Sequence, residues 1–306
     1  MPKRKKPGIR SVGIVVRPDS EEPVKRARRL AEWLSGRGVE VLAHAGWAAD
    51  GAKRVRVVER IEMMSAADLV VVLGGDGSLL GMARLSGADA APIVGIHHGD
   101  FGFLTDSQGK DPYAKIQRIL GGEYEIEKRS MLAVTVRRGE KVAARSQALN
   151  DAVVARGTLS RLVELEASVD GEYLGTYLGD GLVIATPTGS TAYSLSAGGP
   201  IVEPTMSAVV ITPISPHTLN SRPMVLPDRS HVAVRVSGGG DVVLSLDGQE
   251  SIPLERGDVV EVTKSRHHAA IVKVAGGEGF FAILRRKLNW GARGETLGRD
   301  GRRRRA

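Results

Sequence analysis

No cysteine occurs among the 306 residues. That absence removes a disulfide framework, a thiolate metal site and a cysteine nucleophile, and it fits a reducing, cytoplasmic setting. Long apolar runs are also missing. No uninterrupted stretch approaches the ~20 residues that cross a bilayer, and the short run Val12 to Val16 ends at Arg17, too soon for the core of a signal peptide. No repeat at a fixed period appears. A charge excess of one sign is absent from the body of the chain, although the formal net charge is +8. Lys3, Arg4, Lys5 and Lys6 supply four positives at one end and Arg302, Arg303, Arg304 and Arg305 four at the other; without them, 35 basic residues face 35 acidic ones. The excess sits in two short tails, and a basic surface made for nucleic acid is not expected. What remains is an ordinary globular composition, 42% hydrophobic and 25% charged, long enough for one large domain or two smaller ones.

The first third alternates strand and helix signals. Val12 to Val16 reads as a strand buried on both faces. Ser20 is placed to cap a following helix with Pro23 near its first turn, and Ala27, Leu30, Ala31 and Leu34 recur at helical spacing until Gly36 and Gly38. Val39 to Ala43 reads as a strand, Val57 to Met64 as a helix, Leu69 to Leu73 as a strand, Ser78 to Leu85 as a helix and Ile93 to Ile96 as a strand. This pattern predicts a parallel, Rossmann-like sheet whose ligands sit beyond the carboxyl ends of its strands. From about Glu123 the segments shorten and alternate: Leu132 to Val136, Leu162 to Val169, Val232 to Val236, Val242 to Leu246 and Val259 to Val262, with Gly, Asp and Pro turns between them. The expected architecture is an α/β domain over 1–122, possibly completed by 280–306, and a β-rich domain over 123–279, α+β overall. The boundary is placed near Gly121-Gly122.

Chemistry concentrates at Gly74-Gly75-Asp76-Gly77-Ser78, which follows a strand and opens a helix. The glycines Gly74, Gly75 and Gly77 let backbone amides approach phosphate oxygens, and Ser78 is placed to cap a helix whose N-terminus favours anions. Asp76 can accept a hydroxyl proton during phosphoryl transfer; a tight strand–helix turn with a local Asp hydrogen bond explains the same residues equally well. No Gly-Lys-Ser/Thr follows, so the loop is not a Walker A motif. A second segment, Gly179 to Ser194, is dense in glycine and small hydroxyl residues, suited to a flat polar ligand or to a plain polar loop. The two clusters together favour a ligand site.

At this point the chain resembles the NAD kinase family. Four blocks carry the resemblance: Gly74 to Ser78; Gly95-Ile96-His97-His98-Gly99-Asp100-Phe101-Gly102-Phe103-Leu104-Thr105-Asp106; Asn150-Asp151; and Gly179 to Pro200. Asn220 to Pro223 and Leu246 to Gln249 match more weakly. The resemblance implies phosphorylation of the 2′-hydroxyl of the adenosine ribose of NAD, with ATP or inorganic polyphosphate as donor and a divalent cation, Mg²⁺, brought with it. It implies that Asp76 takes the proton and contacts the ribose beside Gly77, and that Phe103 packs on the base. Asn150 and Asp151 would hydrogen-bond ribose or adenine groups, Asp180 the nicotinamide end, and Thr191, Ala192, Tyr193, Ser194 and Ser196 would line the pocket, with Arg161 and Gln249 near it. A homodimer or homotetramer is implied, with a pocket partly completed by a neighbouring subunit.

Two positions depart from the family pattern. Asp151 stands where Glu is usual, one methylene shorter, and His97 replaces a frequent Asn. His97 and His98 are read either as titrating groups near phosphate or as neutral hydrogen-bonders. His267 and His268, adjacent in a strand-like segment, point to opposite faces and make a poor metal pair; no protein-only metal site is expected. A lipid kinase of the diacylglycerol or sphingosine type shares the Gly-Gly-Asp-Gly loop and stands as the alternative enzyme, and a non-catalytic nucleotide or nucleic-acid binder as the alternative class. No amphipathic docking helix supports the former, and no membrane or nucleic-acid partner is expected. Removing residues 1–6 and 302–306 separates the latter, since only nucleic-acid binding would vanish with the tails.

Overall fold

The computed structural model describes residues 8–16, 21–45, 47, 55–96, 102–105, 112–158, 162–218 and 220–289. The first region is built from β1 (Ser11–Val16), α1 (Glu21–Ser35), β2 (Glu40–Ala43), β3 (Val55–Val57), α2 (Arg60–Ala66), β4 (Leu69–Leu73), α3 (Asp76–Ala83), β5 (Ile93–Ile96) and α4 (Pro112–Leu120). A β-rich region follows: β6 (Tyr124–Arg138), β7 (Lys141–Ala148), β8 (Asp151–Arg156), β9 (Val163–Val169), β10 (Glu172–Gly179), β11 (Gly181–Ala185), the short α5 (Tyr193–Ser196), β12 (Ala208–Ile214), β13 (Met224–Pro227), β14 (Val232–Gly239), β15 (Val242–Leu246), β16 (Glu250–Leu254), β17 (Val259–Val274) and α6 (Phe280–Leu288).

Strands β1 to β5 form a parallel sheet in the order β5-β4-β1-β2-β3. One face of β1 (Val12, Ile14, Val16) packs on Leu30, Leu34, Ile116 and Ile119 of α1 and α4. The other face, with Val15, Val70 and Val72, packs on Met63, Leu79 and Leu80 of α2 and α3. Continuous Val/Ile/Leu runs are what a strand covered on both sides requires. In α1 the buried residues are Ala27, Leu30, Ala31 and Leu34, the four at helical spacing. Gly38, at φ +82, donates back to Ser35 and turns the chain out of the helix.

The β-rich region is a sandwich. A six-stranded antiparallel sheet, β13-β12-β11-β8-β15-β16 among the described residues, faces β9, β14 and the first half of β17 across a core of Val154, Leu165, Leu182, Val234, Leu244 and Val260. The two regions share a sheet. Strand β17 pairs antiparallel with β6 along most of its length and parallel with β5 at Ile271–Ile93. Its end, Ala269 to Val274, and Tyr124 and Met131 of β6 accordingly pack in the cores of the parallel sheet.

Two expectations shift, and a third falls outside what the structure describes. Val57 belongs to an edge strand paired with β2, not to a helix; Val55-Arg56-Val57 alternates with period two, and α2 starts at Arg60. Helix α3 starts at Asp76 with Gly75 as its N-cap residue, so Ser78 lies within the first turn and does not cap it. Ser20 lies outside the described residues.

Candidate active site

Asp76 leaves the carboxyl end of β4 as the first residue of α3, the position at which parallel sheets present ligands. No side chain caps this helix start. The Asp76 carboxylate turns toward the segment after β5 and is cradled by it. Oδ2 accepts the Phe103 N–H at 2.8 Å and the Leu104 N–H at 3.4 Å; Oδ1 accepts the Thr105 N–H at 3.0 Å and the Thr105 hydroxyl at 2.8 Å. Glycine at 102 is obligatory, because a Cβ there would overlap the Asp76 carboxylate. The backbone of Phe103 is therefore placed by Asp76 itself.

A second acid knots the start of β8 to the β15–β16 hairpin within the β-rich region. Asp247 and Gly248 occupy the tip of the β15–β16 hairpin at φ +52 and +62, and Gln249 N–H closes the turn on the Leu246 carbonyl at 2.9 Å. Asp-Gly is the pair that tolerates positive φ at both central positions. The turn aims the Asp247 carboxylate at three amides: Leu149 at 2.9 Å, Asn150 at 2.7 Å and Asp151 at 3.1 Å. Gln249 then reaches Gly77, where a Cβ would lie 3.3 Å from its Nε2. Arg84, at the C-cap of α3, bonds the Gln147 carbonyl at 3.2 Å and pairs with Glu250. Helix α3 is thus tied at both ends to the hairpin.

Asp151 is 4% exposed. Burial, reinforced by the charge of Asp247, pushes its carboxyl up to about 7. Burial raises Asp247 as well, opposed by the amides of Leu149, Asn150 and Asp151. The Asn150 Oδ1 is buried without a partner, an acceptor left open beside these acids.

The third wall is the segment after β11. Thr186 is buried: its N–H donates to the Asn150 carbonyl at 2.8 Å, its hydroxyl donates to the Leu149 carbonyl at 2.6 Å and accepts the Gly189 N–H at 3.1 Å. Gly189 packs so closely that a Cβ would overlap the Asn150 carbonyl. Thr188 and Thr191 line a cleft of about 330 Å³ with Phe103 and Leu104; Glu127 and the buried Arg129, ion-paired at 2.9 Å, form its floor. Arg129 also reaches the Thr188 hydroxyl at 3.3 Å.

Other residues named from the sequence lie farther out. Ser194 is fully buried and its hydroxyl pairs with Thr212 at 2.8 Å. Ala192 is half-buried, while Tyr193 and Ser196 are exposed. Asp180 precedes β11 and lies about 20 Å along the strand from Thr186; it pairs with Arg156 at 2.6 Å, which holds its carboxyl below the usual range. Arg161, His97 and His98 lie outside the described residues. Thr105, Asp247, Arg84 and Arg129 were given no role by the sequence reading. The first two stand inside blocks quoted for the resemblance; nothing in the sequence singles out the other two.

Family models of the ATP-NAD kinase N-terminal domain and of the ATP-NAD kinase C-terminal domain match residues 12–124 and 149–274. The chain belongs to the NAD kinase family. An NAD kinase of Citrifermentans bemidjiense is 39% identical over 289 residues, 93% of this chain and all of that protein; one of Geobacter metallireducens is 43% identical over 268 residues, 87% and 94%. Yeast NADH kinase, solved with NADH, superposes with a TM-score of 0.84 at 27% identity, covering 96% of this chain and 91% of that one. An Archaeoglobus fulgidus NAD kinase, solved with ATP, shares the fold at a TM-score of 0.68 and 24% identity, over 91% and 98%. As an NAD kinase the chain is a phosphotransferase with an α/β domain and a mostly-β domain. The lipid-kinase and non-catalytic readings find no support.

Proposed function

We propose that the chain phosphorylates the 2′-hydroxyl of the adenosine ribose of NAD, with Asp76 as the proton acceptor. The observation that carries this reading is the Asp76 carboxylate, set at the carboxyl end of β4 and hydrogen-bonded to Phe103 and Leu104, which line a cleft. The ribose hydroxyl attacks the terminal phosphoryl group in line, its proton passes to Asp76, and the donor's bridging oxygen leaves with the bonding pair. Gly74, Gly75, Gly77 and Ser78 supply the uncapped helix start toward phosphate. Phe103 and Thr191 border the cleft, Asn150 offers its open Oδ1, and Asp151 stands beside it as an acid that burial keeps protonated up to about 7.

Among the described residues no group of three or more His, Asp or Glu side chains is placed to hold a metal. Mg²⁺ would come with the donor and would supply positive charge to offset that of its phosphates. ATP and polyphosphate are both admitted as donors. A homo-oligomer is part of the proposal: Tyr193 and Ser196 are exposed and Asp180 partly so, surfaces that a neighbouring copy can meet. No helix among the described residues is long and apolar enough to cross a membrane; a cytoplasmic setting is part of the proposal.

One assay tests the whole. Purified protein is incubated with NAD, Mg²⁺ and either ATP or polyphosphate, and NADP is read with an NADP-specific dehydrogenase. Formation of NADP with at least one donor is expected; its absence with both defeats the reading.

A further inference from the structure

The four donors around Asp76 are not equivalent, and their asymmetry assigns separate tasks to its two oxygens. A carboxylate offers about four lone-pair sites, two on each oxygen. Oδ1 is held by two short bonds, both from Thr105: the N–H at 3.0 Å and the hydroxyl at 2.8 Å. Oδ2 has one short bond, from Phe103 at 2.8 Å, and one long contact, from Leu104 at 3.4 Å. The lone pair facing Leu104 is the one most readily given to an incoming hydroxyl, since hydrogen bonds weaken steeply at such distances.

The Thr105 hydroxyl has no freedom in this. It accepts the Gly102 N–H at 3.1 Å, and an amide N–H can only donate. Its own proton must therefore point at Oδ1. The side chain is 1% exposed, and its methyl lies against Gly95 of β5, where a Cβ would come within 2.5 Å of the Thr105 Cγ2 and 3.0 Å of Leu79. Gly95 makes the space, the methyl fixes the rotamer, and the rotamer fixes the hydroxyl.

We propose that Thr105 is a positioning residue of the phosphoryl transfer: its hydroxyl pins Oδ1 of Asp76 so that Oδ2 is the oxygen that takes the substrate proton. The step balances. The ribose O–H bond breaks and its proton goes to Oδ2; the ribose oxygen bonds phosphorus as the bridging P–O bond of the donor breaks, and the departing phosphate keeps that electron pair. Thr105 transfers no proton and touches no reacting atom. The proposal rests on Asp76 being the base.

The test uses the full chain with NAD, Mg²⁺ and the donor that it accepts. Thr105→Val preserves shape and removes the hydroxyl; a misdirected carboxylate should lower kcat about 10²-fold and leave the KM for NAD within about threefold, the pattern of a loss felt only in the transition state. Thr105→Ser keeps the hydroxyl and loses the methyl; it should retain most of kcat. Thr105→Ala, which differs from Ser by the oxygen alone, should fall with Val. The Ser and Ala variants lack the same methyl, so their contrast stands even where Val fails to fold. Equal kcat in Ser and Ala overturns the proposal, as does a Val variant with kcat near wild type or one whose whole loss lies in KM. If Asp76→Ala abolishes turnover while the Thr105 variants keep it, only this inference fails; if Asp76→Ala is active, the base assignment fails first.

Discussion

Two aspartates, Asp76 at the start of α3 and Asp151 at the start of β8, are built in opposite ways. Asp76 accepts four hydrogen bonds, three of them from consecutive backbone amides. Asp151 is buried next to another acid, and burial with the charge of Asp247 pushes it up to about 7. One carboxylate is surrounded by donors that need acceptors; the other is pressed by its surroundings to keep a proton. Identical side chains thus meet different surroundings: hydrogen-bond donors around Asp76, burial and a neighbouring acid around Asp151. Asp247 links the two: it holds the amides of Leu149, Asn150 and Asp151 while its hairpin brings Gln249 to Gly77.

The largest effect is expected at Asp76. Asp76→Asn removes the proposed proton acceptor, worth about 10²–10⁴ in turnover. The cradle adds a second consequence: the carboxamide would turn an NH₂ toward the N–H groups of residues 103–105, leaving buried donors unpaired at about 1–3 kcal/mol. Turnover should collapse and the melting temperature should drop, both measured on the same preparation. Full activity would show that the cradle is only a turn. Gly102→Ala follows. Its methyl would displace the carboxylate without touching its charge, so a loss of about 10²-fold in kcat is expected; a kcat close to wild type would mean that the carboxylate's position is immaterial.

Next in size is Asp247→Asn. A carboxamide oxygen cannot serve three amides, and an NH₂ would face an N–H; a loss of about 1–3 kcal/mol in unfolding free energy is expected. With the Asp247 charge gone, the Asp151 carboxyl should titrate lower, which NMR of the side-chain carboxyl would read. An unmoved Asp151 would assign its shift to burial alone.

The parallel sheet was legible because its strands are unbroken Val/Ile/Leu runs and α1 carries four apolar residues at helical spacing. The sandwich was legible as short alternating segments. What escaped was set by contacts distant in sequence. Val55 to Val57 is too short to outweigh the helical residues after it, and becomes a strand because β2 offers it an edge. Helix α3 begins at Asp76 because the carboxylate finds its partners 27 to 29 residues on. Asp76, Phe103 and Gln249 were named by pattern, and the fold bonds Phe103 to Asp76 and sets Gln249 beside Gly77. Arg84 and Arg129 were not, since an arginine whose partners are distant in sequence looks like any surface charge until the fold brings them together.

The subtlest expectation concerns Asp151 and the sign of a pH dependence. In the unfolded chain this carboxyl titrates near its ordinary value of 3.8, and in the folded chain near 7. Between those values the folded state binds the extra proton, so stability is fullest below about 4 and declines as pH rises through about 7. Each pH unit within that window is worth up to about 1.4 kcal/mol. Asp151→Asn keeps the shape, carries no titrating proton and lacks this slope. Relative to the variant, the wild type should therefore lose stability from pH 5 to pH 8, read from denaturant unfolding at each pH. Parallel curves for the two proteins would mean that Asp151 ionises as freely in the fold as in the unfolded chain, and the contrast with Asp76 would then rest on hydrogen bonding alone.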